Sequence, residues 1–360
     1  MLLVLGASRV AAATTAAGSP QPVKDSGAAV RVGGATIPFS SLASPQAGRA
    51  FRSLIGSLAK QPPPDPAAGK DVETVRRTQN EETDRILAEV NRRYPASIRT
   101  EILGGVQTDI VTPAAGVSVE NRHRVLISLH SGGFMWGAGS EALLEAIPIA
   151  VTGRIEVVSV SYRMAPEHVF PAASQDVAAV YRALLKRYGP RQIGIYGCSA
   201  GGILAAESAA WFATHRMPQP GGIASLCGTG AELEGDSAYL APVLVGMAPV
   251  PPGGRPMLLE QMPYFKGVGA GDPLAFPIES DALLRQFPPT LLIAGSRDFA
   301  ASSETLMQRR LWEAGVDSEL FIFDGLWHAF MMHPELPESR EVYRIVWRFF
   351  DIHLERVPKP

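Results

Sequence analysis

Residues 192–206 read QIGIYGCSAGGILAA. An apolar run, Ile193 to Tyr196, meets a glycine-rich turn and then a helix-forming stretch. Ser199 sits at the centre of a G-x-S-x-G pattern, with Gly197 and Gly201 two residues to either side. A strand-to-helix turn tight enough to lift a hydroxyl clear of the backbone needs little bulk at those positions. Glycine-serine turns are also common in ordinary loops, so the pattern alone leaves both readings open. A nucleophilic serine requires a base, a group to orient the base, and donors for the developing oxyanion.

The chain supplies candidates in workable order. Asp298 lies in LLIAGSRDFA and His328 in FIFDGLWHAF, each just past an apolar run that reads as a strand. Open α/β sheets place ligands at the carboxyl ends of strands, and the order Ser, Asp, His suits hydrolases of that architecture. Singly, each residue has a plain structural reading: an Asp after a strand caps helices, and a lone His is usually packing. Upstream, LISLHSGGFMWGAGS places Gly132 and Gly133 after another strand signal, where backbone N–H groups can approach a substrate oxygen. Ala200, the residue after the serine, is the expected third donor.

The bulk composition accommodates a large domain. Of 360 residues, 46% are apolar and 19% charged, and the net charge is −2. The first two figures predict a substantial core. The last gives no electrostatic case for nucleic acid or anionic membranes. No stretch nears the ~20 apolar residues that span a bilayer, so stable membrane insertion is not expected. Short apolar runs recur at RVLISLH, IEVVSVSY, QIGIYG, GGIASLCG, PTLLIAG and SELFIFDG. Helical patterns lie between most of them, at SQDVAAVYRALLKRYG, AGGILAAESAAWFATH and SSETLMQRRLWEAG, and a last amphipathic one, SREVYRIVWRFFDIHLER, ends the chain. Alternation of this kind predicts a mostly parallel sheet with helices on both faces. SIRTEIL and VQTDIVTP, separated by Gly104 and Gly105, predict a hairpin.

Residues 1–70 are rich in Ala, Gly, Ser and Pro and read as a flexible leader and linker, with one helix allowed in SPQAGRAFRSLIGSLAK. Their start, MLLVLGASRV, has a short apolar run without preceding basic residues, so a cleaved signal stays open and the reading leans to a cytoplasmic location over export. From 71 to 360 the pattern is that of the main domain. The helix over DVETVRRTQNEETDRILAEVNRRY is expected to bury Val72, Val75, Ile86, Leu87 and Val90. The stretch at about 228–284 carries Pro- and Gly-rich pieces and no clear strand, and reads as a cap together with about 71–95. Cys198 and Cys227 read as two small thiols, with pairing left open. His168 and His333 show no ligand spacing, and neither metal nor cofactor is expected.

HSGGF, SYRMAPEHVFPAASQDV, GCSAGG, GSRD and GLWHAF together resemble the hormone-sensitive-lipase-like carboxylesterases of the α/β-hydrolase fold, from about Ile98 to the C-terminus. The resemblance implies an α/β-hydrolase fold with a helical cap. It implies Ser199 as nucleophile, Asp298 and His328 as acid and base, and Gly132, Gly133 and Ala200 as oxyanion donors. It implies a small or medium carboxylic ester as substrate, with an amide or lactone hydrolase, or a non-catalytic ligand-binding relative, as alternatives. Oligomeric state has no signature in the letters. Three positions depart from the family pattern: Ser131 replaces a glycine of the oxyanion loop, Cys198 stands where Asp is frequent, and Ser302 stands where a second acidic residue is frequent. Arg163, Glu167 and Asp176 read as a structural charge network behind the oxyanion loop.

Overall fold

A computed structural model describes residues 30–32, 35–58, 72–245, 259–269 and 271–356. In chain order its elements are β1 (Val30–Val32), β2 (Ala35–Ile37), α1 (Pro45–Leu58), α2 (Val72–Arg93), β3 (Ala96–Leu103), β4 (Val106–Pro113), β5 (Val125–Leu129) and α3 (Ser140–Gly153). There follow β6 (Glu156–Val160), α4 (Ala172–Leu184), β7 (Ile193–Cys198), α5 (Ala200–Thr214), β8 (Gly222–Leu226), α6 (Asp236–Val245) and α7 (Asp281–Leu284). The chain closes with β9 (Thr290–Arg297), α8 (Ala301–Glu313), β10 (Ser318–Trp327) and α9 (Pro337–His353). Short single-turn helices, among them Leu259–Gln261 and Pro263–Phe265, punctuate the connections.

β3 to β10 form an eight-stranded sheet in the order β10-β9-β8-β7-β5-β6-β4-β3. β3, β4 and β6 pair antiparallel, and every other neighbouring pair is parallel. All six apolar runs expected as strands are strands, and the Gly104–Gly105 hairpin joins β3 to β4. The central strands β5, β7 and β8 are buried along their whole length. Their alternating side chains feed two cores, as the period of two requires. Ile127 and Leu129 pack with Val177, Leu204 and Leu311 of α4, α5 and α8. Leu126 packs on the opposite face with Phe51, Ile147 and Phe350 of α1, α3 and α9.

Two elements correct the sequence expectations. The flexible-leader reading of 1–70 fails for residues 35–58. There α1 carries Ala47 and Phe51, both fully buried, into the second core. Phe51 packs on Phe39 and Trp327 at ring distances of 5.1 and 5.7 Å. The helix allowed in SPQAGRAFRSLIGSLAK is thus formed, and in a linker-like composition two or three apolar residues at helical spacing suffice to anchor it. Apart from β1, which pairs with β2, the remaining leader with its signal-like start lies outside the described residues, as does part of the 228–284 stretch. α2 is also less buried than its periodicity suggests: Val90 is fully buried, Val72, Val75 and Leu87 are partly so, and Ile86 is exposed. It lies across α3 at the periphery and offers only one narrow face.

α3 was not legible at all. Pro148 lies inside it, and an interior proline costs about 3 kcal/mol. The helix survives because Leu144, Ile147 and Ile149 are buried, each contributing about 1.5–3 kcal/mol.

At the β7–α5 turn, neighbouring backbones touch. A Cβ on Gly201 would overlap the Leu129 carbonyl and lie 2.8 Å from that of His130, and a Cβ on Gly197 would collide with Leu129 and Gly201. Gly201→Ala is therefore expected to misfold or to lose activity by more than about a hundredfold, since a shift of the turn misplaces reacting groups; expression yield, circular dichroism and ester turnover measure this. Phe51→Ala is expected to destabilise the protein by about 3–5 kcal/mol, read from urea unfolding, and an unchanged midpoint would show α1 to be peripheral.

Candidate active site

The strand ends converge. β5 ends at the 130–134 loop, β7 at Ser199, β9 at Asp298 and β10 at His328. Ser199 holds φ 55°, ψ −119°, a left-handed conformation uncommon outside glycine. Its N–H donates to the Leu226 carbonyl at 2.7 Å, and its carbonyl accepts the Ile203 N–H at 3.0 Å. This backbone projects Ser199 Oγ to 2.9 Å from His328 Nε2. His328 Nδ1 lies 2.9 Å from Asp298 Oδ1. Asp298 is fully buried and also accepts the Ala300 N–H at 2.9 Å. The Phe299 ring stacks on the imidazole at 4.1 Å and walls one side of it. The three residues expected from the sequence are thus assembled in one continuous chain of hydrogen bonds.

Gly132, Gly133 and Ala200 line the same cavity as Ser199 and His328. The loop rises through three successive left-handed residues, Gly132, Gly133 and Phe134, at φ 98°, 60° and 59°. The first two glycines meet that demand without the cost of a side chain. Phe134 tolerates it because it is fully buried, with its ring stacked 4.2 Å from Tyr264 and its carbonyl accepting the Ala165 N–H at 2.8 Å. Gly132 O accepts the N–H groups of Met135 and Trp136. Ala200 opens α5, where the first N–H groups have no intrahelical acceptor. The loop and the helix start therefore border the same cavity as Ser199, with the positive end of the α5 dipole beside it.

Behind the loop, His130 is fully buried and stacked on Tyr162 at 4.0 Å, and burial pushes its imidazole down to about 4. It is a neutral packing residue. The Ser131 hydroxyl, the departure from glycine, donates to Glu141 Oε1 at 2.6 Å. Sequence reasoning missed the neighbour of Glu141 on α3. Glu145 is buried and accepts the N–H groups of Ser131 at 2.9 Å and Cys198 at 3.1 Å. Burial, reinforced by Glu141, pushes its carboxyl up to about 8. The available signal was an acidic residue on the apolar face of SEALLEAIPIAVTG.

The expected charge network divides in two. Asp176 accepts Arg163 Nε and the Arg163 backbone N–H at 2.9 and 2.8 Å. Glu167 turns instead to Arg76 of α2, at 2.9 and 2.8 Å. Arg76 also donates to the carbonyls of Met135 and Ala165, which fastens α2 to the far end of the oxyanion loop. Ser302, at the position of the frequent second acid, does another job: it accepts the Ser237 N–H at 3.0 Å while its own N–H donates to Ser237 Oγ at 2.8 Å. Ser237 Oγ in turn donates to the Phe299 carbonyl. A second carboxyl comes from Glu304, fully buried, which burial and the charge of Asp298 hold well above the usual carboxylate range.

Cys198 and Cys227 are free, fully buried thiols in contact with one another and with Met331 Sδ, at 3.6 and 3.9 Å. Burial raises both, Cys227 to about 11. Cys227, Asp298 and His328 are the one trio among the described residues whose ligating atoms lie within 4.8 Å of one another. Both His328 nitrogens already face Asp298 and Ser199, so the trio is part of the hydrogen-bonded assembly.

A family model described as alpha/beta hydrolase fold matches residues 126–332, more than half of the chain. An esterase of Acinetobacter venetianus is 24% identical over 276 residues, covering 73% of this chain and 86% of that protein. The crystal structure of esterase E25 superposes with a TM-score of 0.74 at 25% identity, over 90% of this chain and 99% of that one. An esterase from the bacterial hormone-sensitive lipase family shares the fold, with a TM-score of 0.71 at 23% identity over 87% of this chain and 99% of its own. No helix among the described residues is long and apolar enough to cross a membrane. From motif, fold and relatives alike, the chain belongs to the alpha/beta hydrolase fold family.

Proposed function

We propose that this esterase cleaves carboxylic esters of small to medium acyl length by a two-step acyl transfer at Ser199. The observation that carries the reading is the bridging imidazole, 2.9 Å from Ser199 Oγ on one side and 2.9 Å from a fully buried Asp298 on the other. Asp298 accepts a hydrogen bond from Nδ1–H, which fixes the tautomer and leaves Nε2 as the basic nitrogen facing the hydroxyl. His328 takes the Ser199 proton as Oγ attacks the ester carbonyl. The carbonyl oxygen becomes negative and is met by the N–H groups of Gly132, Gly133 and Ala200. Collapse expels the alcohol, protonated by His328, and leaves an acyl group on Ser199. Water, deprotonated by the same imidazole, repeats the sequence and frees the acid.

The cavity above these groups supports a modest acyl chain. It measures about 480 Å³, and Ile203, Leu233, Leu259, Met262, Phe299 and Met332 give it apolar walls. Leu259, Met262 and Pro263 come from the 228–284 stretch, which acts with α2 as the cap. An assembled triad in an apolar cavity favours turnover over ligand binding alone.

Hydrolysis of p-nitrophenyl esters from acetate to dodecanoate by wild type and Ser199→Ala tests the reading. The expected result is a kcat/KM optimum short of the long end and no turnover in the variant. Retained turnover in Ser199→Ala, or a preference for matched anilides over esters, contradicts it. Asp298→Asn is expected to lower kcat by roughly 10⁴-fold through the wrong imidazole tautomer, and a loss under about tenfold removes Asp298 from the triad.

A further inference from the structure

Glu145 holds together two backbone segments whose relative position the reaction depends on. Its Oε1 accepts the N–H of Ser131, and its Oε2 accepts the N–H of Cys198. Ser131 immediately precedes Gly132 and Gly133, and Cys198 immediately precedes Ser199. One carboxyl group therefore spans the gap between the strand that raises the nucleophile and the loop that offers the oxyanion donors. Glu141, one helical turn earlier on α3, grips the Ser131 hydroxyl from the same side. The Glu145 backbone carbonyl also accepts the Tyr196 hydroxyl at 3.3 Å, so α3 is fixed to β7 at two heights.

The chemistry of this site suits a positioning role better than a stabilising one. Glu145 is buried, its side-chain partners are two neutral N–H groups, and a second carboxylate lies beside it. A buried carboxyl without a cation is costly, and an apolar side chain of similar volume commonly gives a more stable core. Accepting one N–H on each oxygen is the one thing a carboxyl group, in either protonation state, does there that an amide cannot. A glutamine would accept on its oxygen and turn its own donors toward the other N–H.

We infer that Glu145 is a positioning residue, whose two hydrogen bonds set the distance from the Gly132 and Gly133 N–H groups to Ser199 Oγ. The inference rests on the reading of Ser199 as nucleophile. Oxyanion donors act over a narrow range, and loss of one typically slows an enzyme a hundred- to a thousandfold. Because the oxygen becomes negative only as the tetrahedral adduct forms, displacement of the donors weakens binding of the transition state while ground-state binding persists.

The test compares wild type, Glu145→Gln and Ser199→Ala on a short p-nitrophenyl ester, with an alkylboronic acid as tetrahedral-adduct mimic. Glu145→Gln is expected to lower kcat by roughly a hundredfold or more, keep KM within about threefold, and raise the boronate Ki in step with the loss of kcat. Neither KM nor Ki depends on how much of the protein is folded. A merely structural role would lower apparent kcat and melting temperature with Ki unchanged, and that result overturns the inference, as does a variant with wild-type kcat and Ki. Should Glu145→Gln not fold, Glu145→Asp, which keeps the carboxyl group and withdraws its oxygens, is read the same way: a higher Ki with KM retained supports the role, and unchanged kcat and Ki overturn it. Turnover surviving in Ser199→Ala brings down the nucleophile reading itself, whereas an inactive Ser199→Ala beside a wild-type-like Glu145→Gln brings down the positioning role alone.

Discussion

The backbone of Ser199 occupies a conformation that an L-residue avoids, φ 55° and ψ −119°, at a cost of about 1–3 kcal/mol. Much of the surrounding structure can be understood as what holds it there. Above the turn, glycines at 197 and 201 let the elbow press against the carbonyl of Leu129 at the end of β5. Below it, the Leu226 carbonyl takes the Ser199 N–H, and Gly228 lies so close to the Ser199 carbonyl that any Cβ would collide with it. β5, β7 and β8, all buried along their length, cannot relax around the turn without opening both cores. The sheet's central strands thus act as a vice, and the strained turn is the product of their spacing.

The same spacing brings the partners into reach. Parallel neighbours end level with one another, so the residues just past β5, β7, β9 and β10 collect on one edge of the sheet. What remains is fine adjustment, and buried polar groups make it. Asp298 is tied to the Ala300 N–H, the loop beyond it is sewn to α6 through Ser237 and Ser302, and Ser131 is held by the two glutamates of α3. His130, in the midst of this, is uncharged and serves as a stacked plate.

How much of this could be read from the letters depends on the range of the interaction involved. Five of the six apolar runs were legible because a strand buried on both faces leaves little room for polar residues; the sixth, the edge strand β10, is apolar although Phe321 and Ile322 are exposed. Ser199, Asp298 and His328 were legible because each follows such a run, in an order this architecture uses. α3 was concealed by Pro148, whose local cost is outweighed only by burial that a single sequence does not display. α1 was legible only as an allowed helix in a linker-like composition, and its docking, with Phe51 between Phe39 and Trp327, was not. Glu304 and Glu145 were hidden for a third reason. An acidic residue on a helix is ordinarily a solvated one, and only the packed fold turns these two toward Asp298 and toward Ser131 and Cys198. The Arg76–Glu167 pair, linking residues 91 positions apart, belongs with them.

Covalent capture of the acyl group tests Ser199 as the nucleophile. Wild-type protein is mixed with a p-nitrophenyl ester, quenched in acid within the first turnovers, and mapped by mass spectrometry. Acyl transfer through the assembled triad predicts one acyl group, carried on the peptide that contains Ser199 and absent when His328 is replaced by alanine. Rapid hydrolysis with no acylated peptide, or an acyl group on another residue such as Cys227, would contradict the account and point to a different nucleophile in the same cavity.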